Sequence, residues 1–599
     1  MKLSNFVAVA LGFTIIVTTT ACQVTPPSPT PHAPSTKPQT TSPENLLKRA
    51  ANAAPDEAAR LRLDSAQAYY ASGAPAESRA ALQLVDPTNL NSSDRFDFYQ
   101  LTVQLALAAA DLAAARAALP LAVPTNRAQR NARALLTADV AEAQSQFEDA
   151  AIALMTYTWS GRGDDTSSPQ VIVDRLWTDI NRTPPDRITL LAGGTDSNAA
   201  WWQLAAALQS SFDLNAERTA IASWQARHRD HPAAQWPPST LKQIDRDIAA
   251  PTHIALLLPI TGPLANAGRA VRDGFLAAFY HSGSNTTVRI YDSNGATIAS
   301  LYERARSDGA QLIVGPLDKT NVVDINMLPL RPVPVLALNY LPAGVIPGAG
   351  LFQFGLAIED EARAIARRMN EDHMYRVAIL ESDVDWSSRA AQAFREQFEA
   401  MGGAVVTVGV IDDPRAVTDI VGNALLVNAS TTRMEALAKT IGTTPEFIPR
   451  RRSDVDAFVA LVDRSQARAL NPAIAFHFAA DVPIYTTSQA AGGASAAELG
   501  DLDGFRLTEL PWQVYPSPIR AEVDAAFATG GSNLAPLYAL GIDAYRLAAR
   551  ADLLTPNAIG GLLGETGQLQ IQSSGAVVRH PAWAVVSHGA LVALPTVAP

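Results

Sequence analysis

Between Glu44 and Asp247 the apolar positions recur at three- and four-residue spacing, the period of helices that bury one face. The stretch LLKRAANAAPDEAARLRLDSAQAYYASGAPAESRAALQLV predicts a helix pair broken at Ser72-Gly73-Ala74-Pro75, where Gly and Pro punctuate the pattern. A second pair, FYQLTVQLALAAADLAAARAALP, turns at Ala110-Asp111, and a third, ALLTADVAEAQSQFEDAAIALMTY, turns near Glu148-Asp149. The turns recur about every 38 residues, close to the period of helix-turn-helix solenoids. Small residues (Ala76, Ala80, Ala114, Ala115, Ala150) flank them, where two helices must approach closely. A plain helical bundle is the alternative.

After HRDHPAAQWPPST the pattern changes. HIALLLPI is an unbroken apolar run, the mark of a strand covered on both faces. Strand-like and helical segments then alternate: VRIYDS, QLIVGP, VPVLALN and FQFGLA, the helix IEDEARAIARRMNEDH, then RVAILES, AVVTVGVID, DAFVALVD, VPIYTTS and the helix LAPLYALGIDAYRLAAR. Such alternation specifies parallel sheets with right-handed crossovers. The strands are too many for one small sheet, so two doubly wound lobes with a cleft between them are expected. The tail LQIQSSGAVVRHPAWAVVSHGALVAL reads as strand–turn–strand.

The chain's single cysteine changes the picture at the other end. Lys2 precedes the apolar run Phe6 to Val17, too short for the ~20 residues of a membrane-spanning helix, and the small residues Thr19-Thr20-Ala21 close it as in a signal peptide. Cys22 directly after such a site resembles the bacterial lipobox, in which the thiol is acylated; an ordinary secretory signal with an incidental cysteine is the alternative. Thr19 stands where leucine is usual, and Gln23 follows where inner-membrane lipoproteins carry Asp, so the resemblance implies the outer membrane. From Val24 to Ser42 prolines recur among Thr and Ser, a composition that stays extended and solvated. In polyproline II geometry it spans on the order of 60 Å.

Composition removes several functions. Hydrophobic residues make up 48% of the chain, enough for real cores, and the net charge of −11 opposes a general nucleic-acid binder. Ser239-Thr240-Leu241-Lys242 spells S-x-x-K, but no S-D-N or K-T-G accompanies it. His228 and His231 lack further metal ligands and are expected to cap a helix end. Arg162-Gly163-Asp164 reads as a loop. No catalytic residue, metal or cofactor is expected. Ligands of open α/β sheets lie beyond the carboxyl ends of strands, which selects Thr261, Gly262, Asp292, Gly315, Pro316, Asn339 and Tyr340 in the first lobe, and Glu381 and Ser382 in the second. Most of these positions also suit plain turns. Arg450-Arg451-Arg452, with Asp454 and Asp456 close behind, forms either a patch for a partner's carboxylates or an internal ion-pair cluster, with the internal reading preferred.

HIALLLPITGPLANAGRAVRDGFLAAF, GAQLIVGPLDKTNV, PVPVLALNY, FQFGLAIEDEAR, RRRSDVDAFV, DVPIYTTS, LDGFRLTELPW and LYALGIDAY together resemble the penicillin-binding protein activator family, LpoA/LppC-type lipoproteins. The helical half resembles tetratricopeptide repeats, and the second half a type I periplasmic binding protein. The resemblance implies a signal peptide (1–21), a lipidated cysteine with a flexible tether (22–43), a tetratricopeptide-like all-helical domain (44–248) and a two-lobed periplasmic-binding-protein-like α/β domain (249–599). It implies an outer-membrane lipoprotein that docks on an inner-membrane, bifunctional class A penicillin-binding protein and stimulates its peptidoglycan synthesis, with peptidoglycan itself as an optional further contact. Two other readings stay open: a lipid-anchored solute receptor that uses the cleft, and a scaffold between envelope layers.

Overall fold

A computed structural model of the chain describes residues 42–158, 168–244, 250–527, 533–550 and 562–595. The expected signal segment, Cys22, nearly all of the tether and Arg162-Gly163-Asp164 lie outside the described residues. The chain divides into two compact units, one through Leu90 and one from Asn91 onward.

In the first unit the helices Pro43–Ala50, Pro55–Ala71 and Pro75–Gln83 each open on proline, whose missing N–H costs nothing at a helix start. The predicted break is present at Ser72 to Ala74, with Gly73 in the left-handed region. Ser78 Oγ donates to the Ala66 carbonyl at 2.7 Å, joining two of the helices where only small side chains fit.

The second unit begins with more antiparallel helix pairs. Ser92–Ala108 turns into Leu112–Ala118 through Ala110, as expected, and Arg127–Glu142 turns into Phe147–Met155. This last turn centres on Ser145, not Glu148-Asp149, because those two acids occupy the first helical turn, where the exposed N–H groups favour negative charge. Ala115 and Ala150 are fully buried at these pairs. Later helices pack around Trp177, Trp201, Trp202 and Trp224, and Trp224 Nε1 donates to the Ala200 carbonyl at 2.7 Å.

From His253 the chain is α/β. Strands β1 (His253–Leu258), β2 (Thr287–Asp292), β3 (Leu312–Val314), β4 (Val335–Ala337) and β5 (Leu351–Gln353) form a wholly parallel sheet in the order β2-β1-β3-β4-β5. Strands β6 (Arg376–Ser382), β7 (Ala404–Ile411), β8 (Ala457–Leu461), β9 (Ile484–Thr486) and β10 (Arg506–Glu509) belong to the second lobe. The chain then returns to the first lobe for a three-stranded sheet, β11 (Leu562–Leu563), β12 (Gln568–Ile571) and β13 (Val577–His580). It crosses again into β14 (Ala582–Ser587) and β15 (Ala590–Leu594), which complete the order β15-β14-β10-β9-β8-β6-β7. This is the expected two-lobed, periplasmic-binding type of architecture. The tail differs from its sequence reading: it forms two hairpins in two different sheets, and β14, paired antiparallel with both β10 and β15, runs opposite to the other strands of its sheet.

The later helices and the first lobe share a core. Phe212 joins the first-lobe cluster, the Arg546 guanidinium lies 4.0 Å over its ring, and buried Arg550 pairs with buried Glu217. The joint is built from these side chains.

On one face of the first sheet, the helices Ala265–Ser282 and Ala535–Ala548 cross at glycine contacts. A Cβ on Gly274 would lie 2.1 Å from the Tyr538 carbonyl oxygen, and one on Gly541 equally close to that of Val271. Gly541→Ala should therefore lower stability by about 1–3 kcal/mol, the usual cost of overpacking a core. Thermal denaturation beside an exposed control such as Gly500→Ala checks this; equal losses in both would contradict the crossing.

Candidate functional site

The carboxyl ends of the first-lobe strands carry the rim that a cleft ligand would meet. Asp292, at the end of β2, accepts from the Ile260 and Asn294 amides at 2.9 and 3.0 Å through Oδ1 and from the Thr261 hydroxyl at 2.6 Å through Oδ2. The Thr261 hydroxyl bond, with these amides, holds its carboxyl below the usual range despite partial desolvation. Asn294 Nδ2 donates to Thr261 Oγ1, and the Asn294 side chain closes over Gly262. The predicted residues Thr261, Gly262 and Asp292 are thus brought together, and Thr261 and Asp292 bind each other.

The next rim positions behave likewise. Gly315 crosses β1 so tightly that a Cβ would stand 2.0 Å from the Leu257 carbonyl oxygen. Pro316 accepts from the Leu338 amide, and Asn339 Nδ2 donates to the Leu317 carbonyl. The Tyr340 hydroxyl donates to the Val577 carbonyl at 2.7 Å; burial pushes its pKa up, so it stays a neutral donor. In the second lobe Ser382 Oγ donates to Gln466, and half-buried Glu381 has its carboxyl pushed up by burial. No hydrogen bond among the described residues joins Glu381 or Ser382 to the first-lobe rim.

The polar chemistry concentrates instead where the chain passes between the lobes. The first crossing enters the helix Ile358–Glu371, whose opening turn carries Glu359, Asp360 and Glu361. The second leaves β10 at Thr508 and Glu509, and the third passes from β13 to β14 beside Arg579. Arg579 is 0% exposed. Its Nη1 and Nη2 donate to the carbonyls of Thr566 and Ala357 at 3.0 and 3.2 Å, its backbone N–H donates to Asp360 Oδ2, and its guanidinium lies 3.8 Å from Glu361 Oε1. Glu361 in turn accepts from the Ser488 amide and hydroxyl and from the Thr508 hydroxyl. One buried arginine and its carboxylates therefore tie all three crossings. Glu509 joins them as a buried carboxyl, pushed up to about 8 by burial first and by Glu361 as well. Sequence reasoning did not select this cluster. The one available signal was that FQFGLAIEDEAR, LDGFRLTELPW and RHPAW each end or begin an element with charge next to aromatic or apolar residues.

The arginine run lies elsewhere on the second lobe. Arg452 grips Asp454 through two bonds of 2.6 and 2.9 Å, Arg376 adds a third at 2.6 Å, and Arg451 pairs with Asp481. The Arg452 and Arg376 bonds hold the Asp454 carboxyl far below its usual range. Asp456 accepts from the Tyr375 and Arg376 amides. Ser239, of S-x-x-K, donates to Asp174 and Lys242 to Gln170. His228 ends one helix, and His231 Nδ1 accepts from the Ala233 amide at the start of another.

These features define a helical-repeat protein with a two-lobed, periplasmic-binding-type head tied at its hinge. A family model described as "LppC putative lipoprotein" matches residues 36–589, and the chain belongs to that family. Penicillin-binding protein activator LpoA of Vibrio cholerae serotype O1 is 27% identical over 434 residues, covering 70% of this chain and 71% of that protein. The protein of the same name from Vibrio antiquarius is 25% identical over 468 residues, covering 75% and 76%. Full-length LpoA from Haemophilus influenzae aligns with 93% of this chain and 99% of its own, at 21% identity and a TM-score of 0.48.

The hinge carries a pH signature. Glu509 keeps its proton to about pH 8 in the folded chain and loses it near its ordinary 4.5 once unfolded. The folded state then binds the extra proton, so stability falls as pH rises through that window. Asp360 and Asp543, also raised by burial, slope the same way, so the informative quantity is a difference. Glu509→Gln should gain on the parent chain between pH 5 and 8 by on the order of a few kcal/mol. Melting curves at several pH values check this; a constant gap would contradict it.

Proposed function

We propose that this chain is an outer-membrane lipoprotein, acylated at Cys22, that binds an inner-membrane class A penicillin-binding protein and raises its rate of peptidoglycan synthesis. The observation that carries this reading is the tie between the lobes through Arg579. A solute receptor closes by bending its crossings around a ligand, and here bending would strip partners from a fully buried guanidinium. The first-lobe rim groups Thr261, Asp292, Asn339 and Tyr340, which would grip a solute, already hold hydrogen bonds within the protein. A head of fixed shape suits recognition of a protein surface. Membership of a lipoprotein family and the name of its curated relatives support the same reading. On this account the chain supplies binding energy that favours one conformation of the synthase over another, while the chemistry remains with the synthase.

The test uses the chain from Gln23 onward, which contains every described residue, with class A synthases purified from the same cell. Binding together with a severalfold rise in glycan polymerisation is expected. Absence of both with every such synthase would contradict the proposal. Thermal stabilisation by an amino acid or a wall fragment would then favour the receptor reading.

A further inference from the structure

The second lobe holds a surface that the hinge does not use. The helix Arg464–Phe476 ends with the Ala479 amide on the Ile474 carbonyl and the Phe478 amide on the Ala475 carbonyl, both at 3.0 Å. This pairing places Phe478 at the position where helices commonly turn left-handed, and its φ is +58°. Glycine fills that position without steric cost, whereas an aromatic residue there is an outlier. Six non-glycine residues in the described chain have positive φ, and Phe478 is the bulkiest of them. The residue is also 65% exposed, so the fold recovers little from burying it. Backbone strain and solvent exposure thus fall on the same residue, and neither is repaid by packing.

What surrounds Phe478 indicates a partner. It lines a groove of about 610 Å³ with Ile448, which is 73% exposed, over a floor that includes buried Val455 and Val482. Arg450, Arg451 and Arg452 stand along the same groove. Arg451 and Arg452 pair internally, but exposed Arg450 has no carboxylate partner among the described residues. Asp481, held by Arg451, and Asp456, held by backbone amides, line the groove as well, so what it offers beside its exposed apolar surface is the Arg450 guanidinium, which neither carboxylate engages. Aromatic residues and arginine in a pocket are the usual composition of an interface hot spot.

We infer that this groove docks a segment of the synthase that places an apolar side chain against Phe478 and Ile448 and a carboxylate on Arg450. The inference rests on the activator reading and assigns its contact. A second copy of this chain is disfavoured as occupant by the shared negative charge.

Three versions of the chain from Gln23 onward (parent, Phe478→Gly and Arg450→Glu) are compared by thermal melting, sedimentation and binding to the synthase that the parent activates. Phe478→Gly relieves the left-handed strain, so its melting temperature should equal or exceed that of the parent while binding weakens about tenfold or more. Arg450→Glu should melt as the parent does and weaken binding at least as much, with the parent's excess affinity lost as salt rises. Binding by both variants within experimental error of the parent would overturn the inference and leave the activator reading standing. A lower melting temperature for Phe478→Gly would show a packing role and overturn it too, as would self-association of the parent that Phe478→Gly abolishes. If the parent binds no synthase, both readings fall together.

Discussion

A fully buried guanidinium is among the costliest groups a protein can hold, because it must replace its water with oriented acceptors. Arg579 meets part of that demand: its two Nη groups donate to the carbonyls of Thr566 in the first lobe and Ala357 on the first crossing, and the Glu361 carboxylate at the head of the second-lobe helix lies 3.8 Å away, while its Nε finds no acceptor among the described residues. Glu361 passes the constraint on to Ser488 and Thr508. The relative position of the lobes is thus fixed by an electrostatic requirement and not by apolar contact alone. Removing one partner would leave a buried charge uncompensated, so the arrangement tends to be kept whole.

The same constraint shapes what the head can do. With the crossings tied and the first-lobe strand-end groups held within the protein, the proposed recognition lies on the outer surface rather than in the cleft. There the chain exposes Phe478 and Ile448 beside arginines, a combination better suited to a polypeptide than to a small solute. The shared core at Phe212, with the buried Arg550–Glu217 pair, joins the later helices to the first lobe. Those helices and the head therefore offer a partner one continuous solid body.

Much of this was legible in the residues. The apolar run of β1, the alternation after it and the helix-pair turns at Gly73 and Ala110 follow from local periodicity and turn chemistry, which a sequence displays directly. The hinge did not, because Asp360 and Glu361 spell like the solvated acids of any helix start and Arg579 like the polar face of a strand. Their burial arises only when segments more than 200 residues apart in the chain converge. The split of the tail between two sheets was hidden for the same reason, since a hairpin pattern does not state which sheet it joins. Phe478 was invisible too: its meaning lies in a backbone angle, and neighbouring residues do not announce it.

The most direct measurement is the distance distribution between the lobes in solution. The chain from Gln23 onward contains no cysteine, so spin labels at Tyr280→Cys and Glu399→Cys would report one helix of each lobe without interference. A single narrow distribution by pulsed electron spin resonance, unchanged on adding amino acids or wall fragments, is the result a tied hinge requires. A broad or two-peaked distribution, or one that contracts with a solute, would show that the lobes close and would contradict it.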